Sequence, residues 1–216
     1  MITAAHPGSR RRLNSVVASV FSVASLAYDL PVLQWYLYRP PQDDVIRMLD
    51  RAGTRAVADI GCGTGILAAR LATEMDVIWG VDVSPGMLAK ARRRSREVRW
   101  QHSPAEQLDL PDGSVDAVTT TTAFHFFDQA RALTEFHRVL RPGGIAVVCT
   151  PAGDARWARP LQRVSASRLM PAHAPSSAEI RKVFRDAGFE IVEQRPVARP
   201  WYSRWVPDLI TVGKKG

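Results

Sequence analysis

Three glycines and two carboxylates offer the clearest chemistry in this chain. Gly61, Gly63 and Gly65 stand in the run Val57-Ala58-Asp59-Ile60-Gly61-Cys62-Gly63-Thr64-Gly65. A ligand pressed against backbone leaves no room for a Cβ, and a sharp turn needs φ values that glycine adopts at little cost. Amides at the start of a following helix carry partial positive charge and suit an anionic group. Asp82 ends the run Val77-Ile78-Trp79-Gly80-Val81, 17 residues after Gly65. An acid about 20 residues past a glycine loop, at the tip of the next strand, can accept both hydroxyls of a ribose.

Such residues need elements to hold them. Ala56 to Ile60 is a short apolar run, and Ile66-Leu67-Ala68-Ala69-Arg70-Leu71-Ala72 has helical apolar spacing, so the order is strand, tight loop, helix. Ile66 stands where a dinucleotide fingerprint has its third glycine, which disfavours a nicotinamide oxidoreductase. The pattern is instead GxGxG with Asp59 two residues before the first glycine.

Asp59 to Gly65, followed by Gly80-Val81-Asp82-Val83-Ser84, resembles the first two motifs of class I S-adenosylmethionine-dependent methyltransferases. Ala105-Glu106-Gln107-Leu108 with Pro111-Asp112-Gly113-Ser114-Val115-Asp116 is similar to the third, and Arg138-Val139-Leu140-Arg141-Pro142-Gly143-Gly144 to the fourth. The subfamily most resembled is the ubiquinone/menaquinone-biosynthesis (type 11) group of small-molecule methyltransferases. The resemblance implies S-adenosyl-L-methionine as cofactor, with Asp59, Gly61, Cys62, Gly63, Gly65, Asp82, Val83, Met87, Ala105, Glu106 and Thr121 as its binding positions. Asp59 would organise the loop and reach the methionine ammonium, Asp82 the ribose diol, and Val83 and Met87 the adenine. One departure stands out: the family commonly has an Asp before the Ala-Glu pair, bonded to the adenine amino group, and this chain has Pro104.

Methyl transfer is an in-line displacement, so a base is optional. Thr119-Thr120-Thr121-Thr122-Ala123-Phe124-His125-Phe126-Phe127-Asp128 follows a strand, where the methyl group should project. It has no Asn/Asp-Pro-Pro-aromatic motif, which counts against methylation of exocyclic base amines. His125 takes the first position of a His-His pair common in the resembled subfamily. It is the candidate catalytic residue, as a general base with a suitable ordinary pKa, the alternative being a histidine hydrogen-bonded beneath the cofactor. Candidate acceptor-binding residues are Tyr28, Tyr36, Phe124 and Trp201, with packing as the alternative role for each.

Alternating strands and helices predict an α/β fold: a Rossmann-like, doubly wound sheet of seven strands. The spacing places strands at 56–60, 76–81, 97–101, 115–121, 145–150, 189–195 and 207–214. Helices are expected over 42–51, 64–74, 84–95, 129–140 and 177–187, with a basic amphipathic helix over 154–170. The resemblance further implies that the last strand runs antiparallel between its neighbours. Residues 1–41 read as an N-terminal helical cap or lid and residues 42–216 as the methyltransferase domain.

At 216 residues, 46% apolar and 23% charged, the chain can bury a core as one domain. A net charge of +8, with 25 of 29 basic residues arginine, keeps an RNA methyltransferase in view as the alternative function. A catalytically idle S-adenosylmethionine-binding protein is the other. Two cysteines without a CxxC pair predict neither zinc nor a disulfide framework. Ser9-Arg10-Arg11-Arg12-Leu13 and the uncharged stretch after it resemble a twin-arginine export signal, but the inferred cofactor is cytoplasmic and the run is short for a membrane span. The expectation is a cytoplasmic enzyme with a small-molecule acceptor, no nucleic-acid partner and no metal. Ser15, Ser19, Ser22 and Asp29 form one polar stripe on an otherwise apolar N-terminal helix, which suits peripheral membrane or lipid contact.

Overall fold

The computed structural model describes residue 32, residues 34–153 and residues 174–216. The expected N-terminal helix, Tyr28 and the 154–170 segment lie outside the described residues. A π-helical turn, Gln34–Tyr38, leads into helix α1, Arg39–Arg51. This helix starts three residues before the expected position, with Pro40 and Pro41 in its first turn. First-turn amides have no intrahelical acceptor, so proline costs nothing there.

Seven strands follow: β1 (Ala56–Ile60), β2 (Val77–Asp82), β3 (Arg99–His102), β4 (Val115–Thr121), β5 (Leu140–Pro151), β6 (Phe189–Pro196) and β7 (Asp208–Lys215). They make one sheet in the order β3-β2-β1-β4-β5-β7-β6. β1 to β5 are mutually parallel, and β7 runs antiparallel between β5 and β6. Helices α2 (Ile66–Leu71), α3 (Pro85–Arg94), α4 (Gln129–Val139) and α5 (Ser177–Asp186) cover the faces. One core, centred on Phe124, Phe136, Leu140 and Phe184, lies under α4 and α5; the other joins α1 and α2 to the opposite face through Val45, Leu49, Leu67 and Val147.

Two further boundaries differ from expectation for reasons the backbone shows. α2 is a six-residue helix, because the glycine turn runs on through Gly65 at φ +76°. β5 begins at Leu140, five residues early: Gly143 takes φ +78°, and the pairing with β4 shifts register between Val115 and Ala117, so Pro142-Gly143-Gly144 is absorbed as an irregularity within the strand.

The strand order puts the loops after β1, β2, β3 and β4 along one carboxyl edge. Strand order reverses between β1 and β4, which is where ligands gather in open α/β sheets. Pro151, the last residue of β5, pairs with Asp208, the first of β7. The 197–207 connection therefore arrives at that same edge.

Candidate active site

The cleft opens at this edge, with about 820 Å³ of empty space that runs out into open solvent. Its lining runs from Gly61 and Gly63 after β1, through Asp82, Val83 and Met87, to Pro104, Ala105 and Glu106 after β3. Thr121, Ala123, Phe126 and Phe127 close the far wall.

Local chemistry builds each wall. The Gly61 and Cys62 amides both donate to the Val81 carbonyl, at 2.8 and 3.1 Å, which ties the glycine turn to the end of β2. The Gly63 amide donates to Asp82 Oδ2 at 2.9 Å, and the Ser84 amide to Asp82 Oδ1 at 2.8 Å. Ser84 in turn caps α3, its hydroxyl accepting from the Met87 amide. One carboxylate thus joins the turn to the next helix and brings the glycine loop and the acid together. Burial raises the Asp82 pKa, and the amides of Ser84 and Gly63 counter that.

Gly61 has φ +71°, and a Cβ there would lie 2.6 Å from Ala123 Cβ and 3.1 Å from the Phe127 ring. The turn and the far wall touch through that missing side chain. Gly65 is glycine for another reason: a Cβ would meet the Trp100 ring at 2.4 Å and Ala91 at 2.9 Å. It serves packing of α2 and α3 and does not line the cleft. Cys62 is 8% exposed and likewise lies off the lining.

Asp59 lies behind the turn, also off the cleft lining and 1% exposed, and neither carboxylate oxygen has a hydrogen-bond partner of good geometry among the described residues. Burial, then the nearby charge of Asp82, raises its pKa to about 7; the amide of Ala68, in the first turn of α2, favours the ionised form. The partial positive charge of α2 therefore faces the chain's own Asp59. Val83, Met87, Ala105, Glu106 and Thr121 all line the cleft as expected. Glu106 is held by the Asp128 amide, which donates to its Oε1 at 2.7 Å.

The acceptor-side expectations fare differently. Phe124 is wholly buried in the core, edge-on to Phe127, so it is not a wall of the cleft; Phe126 and Phe127 are. Within Ala123–Phe127 the Phe124 ring turns into the core while Phe126 and Phe127 face the cleft, and the sequence has no signal for which ring does which. His125 lies against Phe126, ring centroids 4.0 Å apart, and is not part of the lining. Burial lowers its pKa to about 4. Thr122, at φ +56°, is the non-glycine residue with positive φ among the described residues, and it lines the cleft. Such a conformation for a β-branched residue stores strain of the kind that accumulates at functional sites.

Tyr36 and Trp201 fall outside the cleft, in an aromatic group at the same edge. Tyr36 Oη donates to the Tyr202 carbonyl and accepts from Trp205 Nε1 at 2.6 Å. Trp35 stacks on Tyr202 at 4.4 Å, and Trp201 is 84% exposed beside it. Ser84, Ser103, Ala123, Phe126 and Phe127 are lining residues that sequence reasoning missed. The carboxyl-edge position of their loops was the available signal.

Residues of this cleft fit S-adenosyl-L-methionine. The turn is stripped of side chains where Gly61 passes the far wall, a carboxylate stands at the tip of β2, and a buried carboxylate without a good partner waits behind the turn. Residues 58–148 match the family described as a methyltransferase domain. The class is thereby defined: these residues are a class I S-adenosylmethionine-dependent methyltransferase domain of the type 11 family.

Among curated relatives, the ubiquinone/menaquinone biosynthesis C-methyltransferase of Rubrivivax gelatinosus is 33% identical over 161 residues, 72% of this chain and 63% of that protein. An S-adenosylmethionine-dependent methyltransferase of Mycolicibacterium smegmatis is 32% identical over 164 residues, 72% of this chain and 60% of that one. An uncharacterized methyltransferase of Mycobacterium tuberculosis is 37% identical over 101 residues, 45% of this chain and 51% of its own length. The chain thus spans about half to two thirds of the length of these relatives. Two solved structures share the fold. A methyltransferase of Thermotoga maritima has a TM-score of 0.75 at 24% identity, covering 92% of this chain and 99% of that one. The magnesium protoporphyrin IX methyltransferase of Synechocystis, solved with S-adenosylhomocysteine bound, has 0.74 at 18%, covering 94% and 99%.

Proposed function

We propose that this protein transfers a methyl group from S-adenosyl-L-methionine to a small, apolar acceptor. The observation that carries the reading is the convergence of the Gly63 amide and the Asp82 carboxylate at the mouth of the cleft. Gly61, Gly63 and Asp59 would hold the amino-acid end, Asp82 the ribose, and Val83, Met87 and Ala105 the base. The bound cofactor supplies an electrophilic methyl group on a leaving group already activated by positive charge. What the chain must add is orientation and a dry cleft, and orientation of this kind contributes roughly 7–11 kcal/mol.

Phe126, Phe127, Ala123 and Ile60 give the far wall an apolar surface suited to excluding water. The aromatic group of Trp35, Tyr36, Tyr202 and Trp205 stands at the same edge and supports an apolar acceptor, as does similarity to a quinone-pathway enzyme. With its pKa near 4, His125 is a weak proton acceptor, and its packing beside the cleft wall is the role the geometry favours. Asp82 and Glu106 are engaged with backbone amides. An acceptor that presents its nucleophile without a strong base fits these surroundings best.

Calorimetry with S-adenosylmethionine and S-adenosylhomocysteine tests the reading, followed by mass spectrometry of a cell extract incubated with isotopically labelled donor. Asp82→Ala should weaken both ligands by on the order of tenfold to a hundredfold, the usual worth of hydrogen bonds to a charged group. Equal affinity in wild type and variant, or no binding by the wild type, would sink it.

A further inference from the structure

Ser103 follows β3 and is 9% exposed, yet it lines the cleft, and its hydroxyl has no hydrogen-bond partner among the described residues. A buried hydroxyl left unpaired carries a desolvation cost, so a partner supplied by ligand repays it. Its neighbours offer no substitute. Pro104 has neither an amide proton nor a polar side chain, and the Glu106 carboxylate accepts the Asp128 amide.

Sheet order says what reaches Ser103. Asp82, on β2, lies between the glycine turn after β1 and the loop after β3. With the ribose on Asp82 and the amino-acid end at Gly61 and Gly63, Val83, Met87, Ser103 and Ala105 would be left to hold the base.

From this we propose that the Ser103 hydroxyl binds the 6-position of the purine, accepting a hydrogen bond from the exocyclic amine, in place of the acid that Pro104 has displaced. The inference rests on the cofactor reading above. It makes a chemical distinction that a carboxylate would not. A carboxylate only accepts and repels a 6-oxo group, whereas a hydroxyl rotates to donate to one. The pocket should therefore tolerate a 6-oxo purine.

Calorimetry on the full chain would compare S-adenosylhomocysteine, S-inosylhomocysteine and the purine analogue with hydrogen at position 6. Wild type should bind the first two within about threefold of each other and the third about fivefold more weakly, the worth of one neutral hydrogen bond. Ser103→Ala should weaken the first two about fivefold and leave the third unchanged; its melting temperature checks the fold. Equal weakening of all three would make Ser103 a packing residue and overturn the proposal, as would unaltered affinity for S-adenosylhomocysteine. Failure of wild type to bind S-adenosylhomocysteine would instead remove the cofactor reading itself, and this inference with it.

Discussion

Asp59 is where residue-scale chemistry is most exposed to measurement. Its carboxyl titrates near 7 in the fold against an ordinary value near 4 when unfolded, so between those values the native state holds the extra proton. Stability must then fall as pH rises from about 4 to about 7. Asp59→Asn removes that slope: its melting temperature should exceed that of wild type at pH 8 and match it near pH 4. The same group predicts proton release on ligand binding, because a ligand ammonium favours the carboxylate. Affinity for S-adenosylhomocysteine should climb from pH 6 to pH 8 in wild type and stay level in Asp59→Asn. Parallel profiles for the two proteins would show that Asp59 does not meet the ligand's charge. Asp59 was legible as a candidate site acid from its place before Gly61; its altered pKa was not, because that comes from burial and from Asp82, brought near by the pairing of β1 with β2.

At the scale of elements, the C-terminal hairpin is fastened to α1 by charge. Asp44, 1% exposed on α1, accepts from Arg195 at 2.6 and 2.9 Å, from the Ala198 amide at 3.0 Å and from Arg47 at 3.1 Å. Burial works against its charge, but these donors together hold its pKa below the ordinary value. Close by, Arg199 pairs with Asp208 and donates to the carbonyls of Tyr36 and Leu37. The pairs place the 197–207 connection and its aromatic group at the carboxyl edge of the sheet. Asp44→Ala should cost roughly 3 kcal/mol, the low end for breaking a buried pair, because Arg195 keeps partial access to water. Denaturant unfolding measures it. Because this carboxyl is held low, its contribution is present above pH 4 and fades as pH falls through the depressed value. A loss under 1 kcal/mol would mean that apolar packing alone seats the hairpin. None of this was readable from α1, whose amphipathic pattern identifies a helix without its charge partners, 151 residues away.

For the whole molecule, the issue is what the +8 charge is for. Arg47, Arg70, Arg138, Arg141, Arg195 and Arg199 are all engaged with carboxylates within the fold. Arg92 and Arg93 are exposed at the end of α3, where a helix dipole favours cations. These six arginines are therefore structural. Any RNA affinity should be nonspecific and should fall by orders of magnitude between 50 and 200 mM salt. Fluorescence anisotropy with labelled RNA checks this, and tight binding that survives 200 mM salt would favour an RNA acceptor. Among the described residues no helix is long and apolar enough to cross a membrane.

Local sequence determined the strand–glycine turn–helix unit, the alternation of strands and helices, and the carboxylate at the tip of β2. Each depends on spacing over a few residues, and spacing is written in the chain. Tertiary structure decided that Phe126 and Phe127 face the cleft while Phe124 fills the core, that Gly65 packs against Trp100, and that burial lowers the pKa of His125. Those properties belong to neighbours that strand pairing brings from far along the chain. A side chain's type states what it can do, and only its surroundings set its charge, its exposure and its partner.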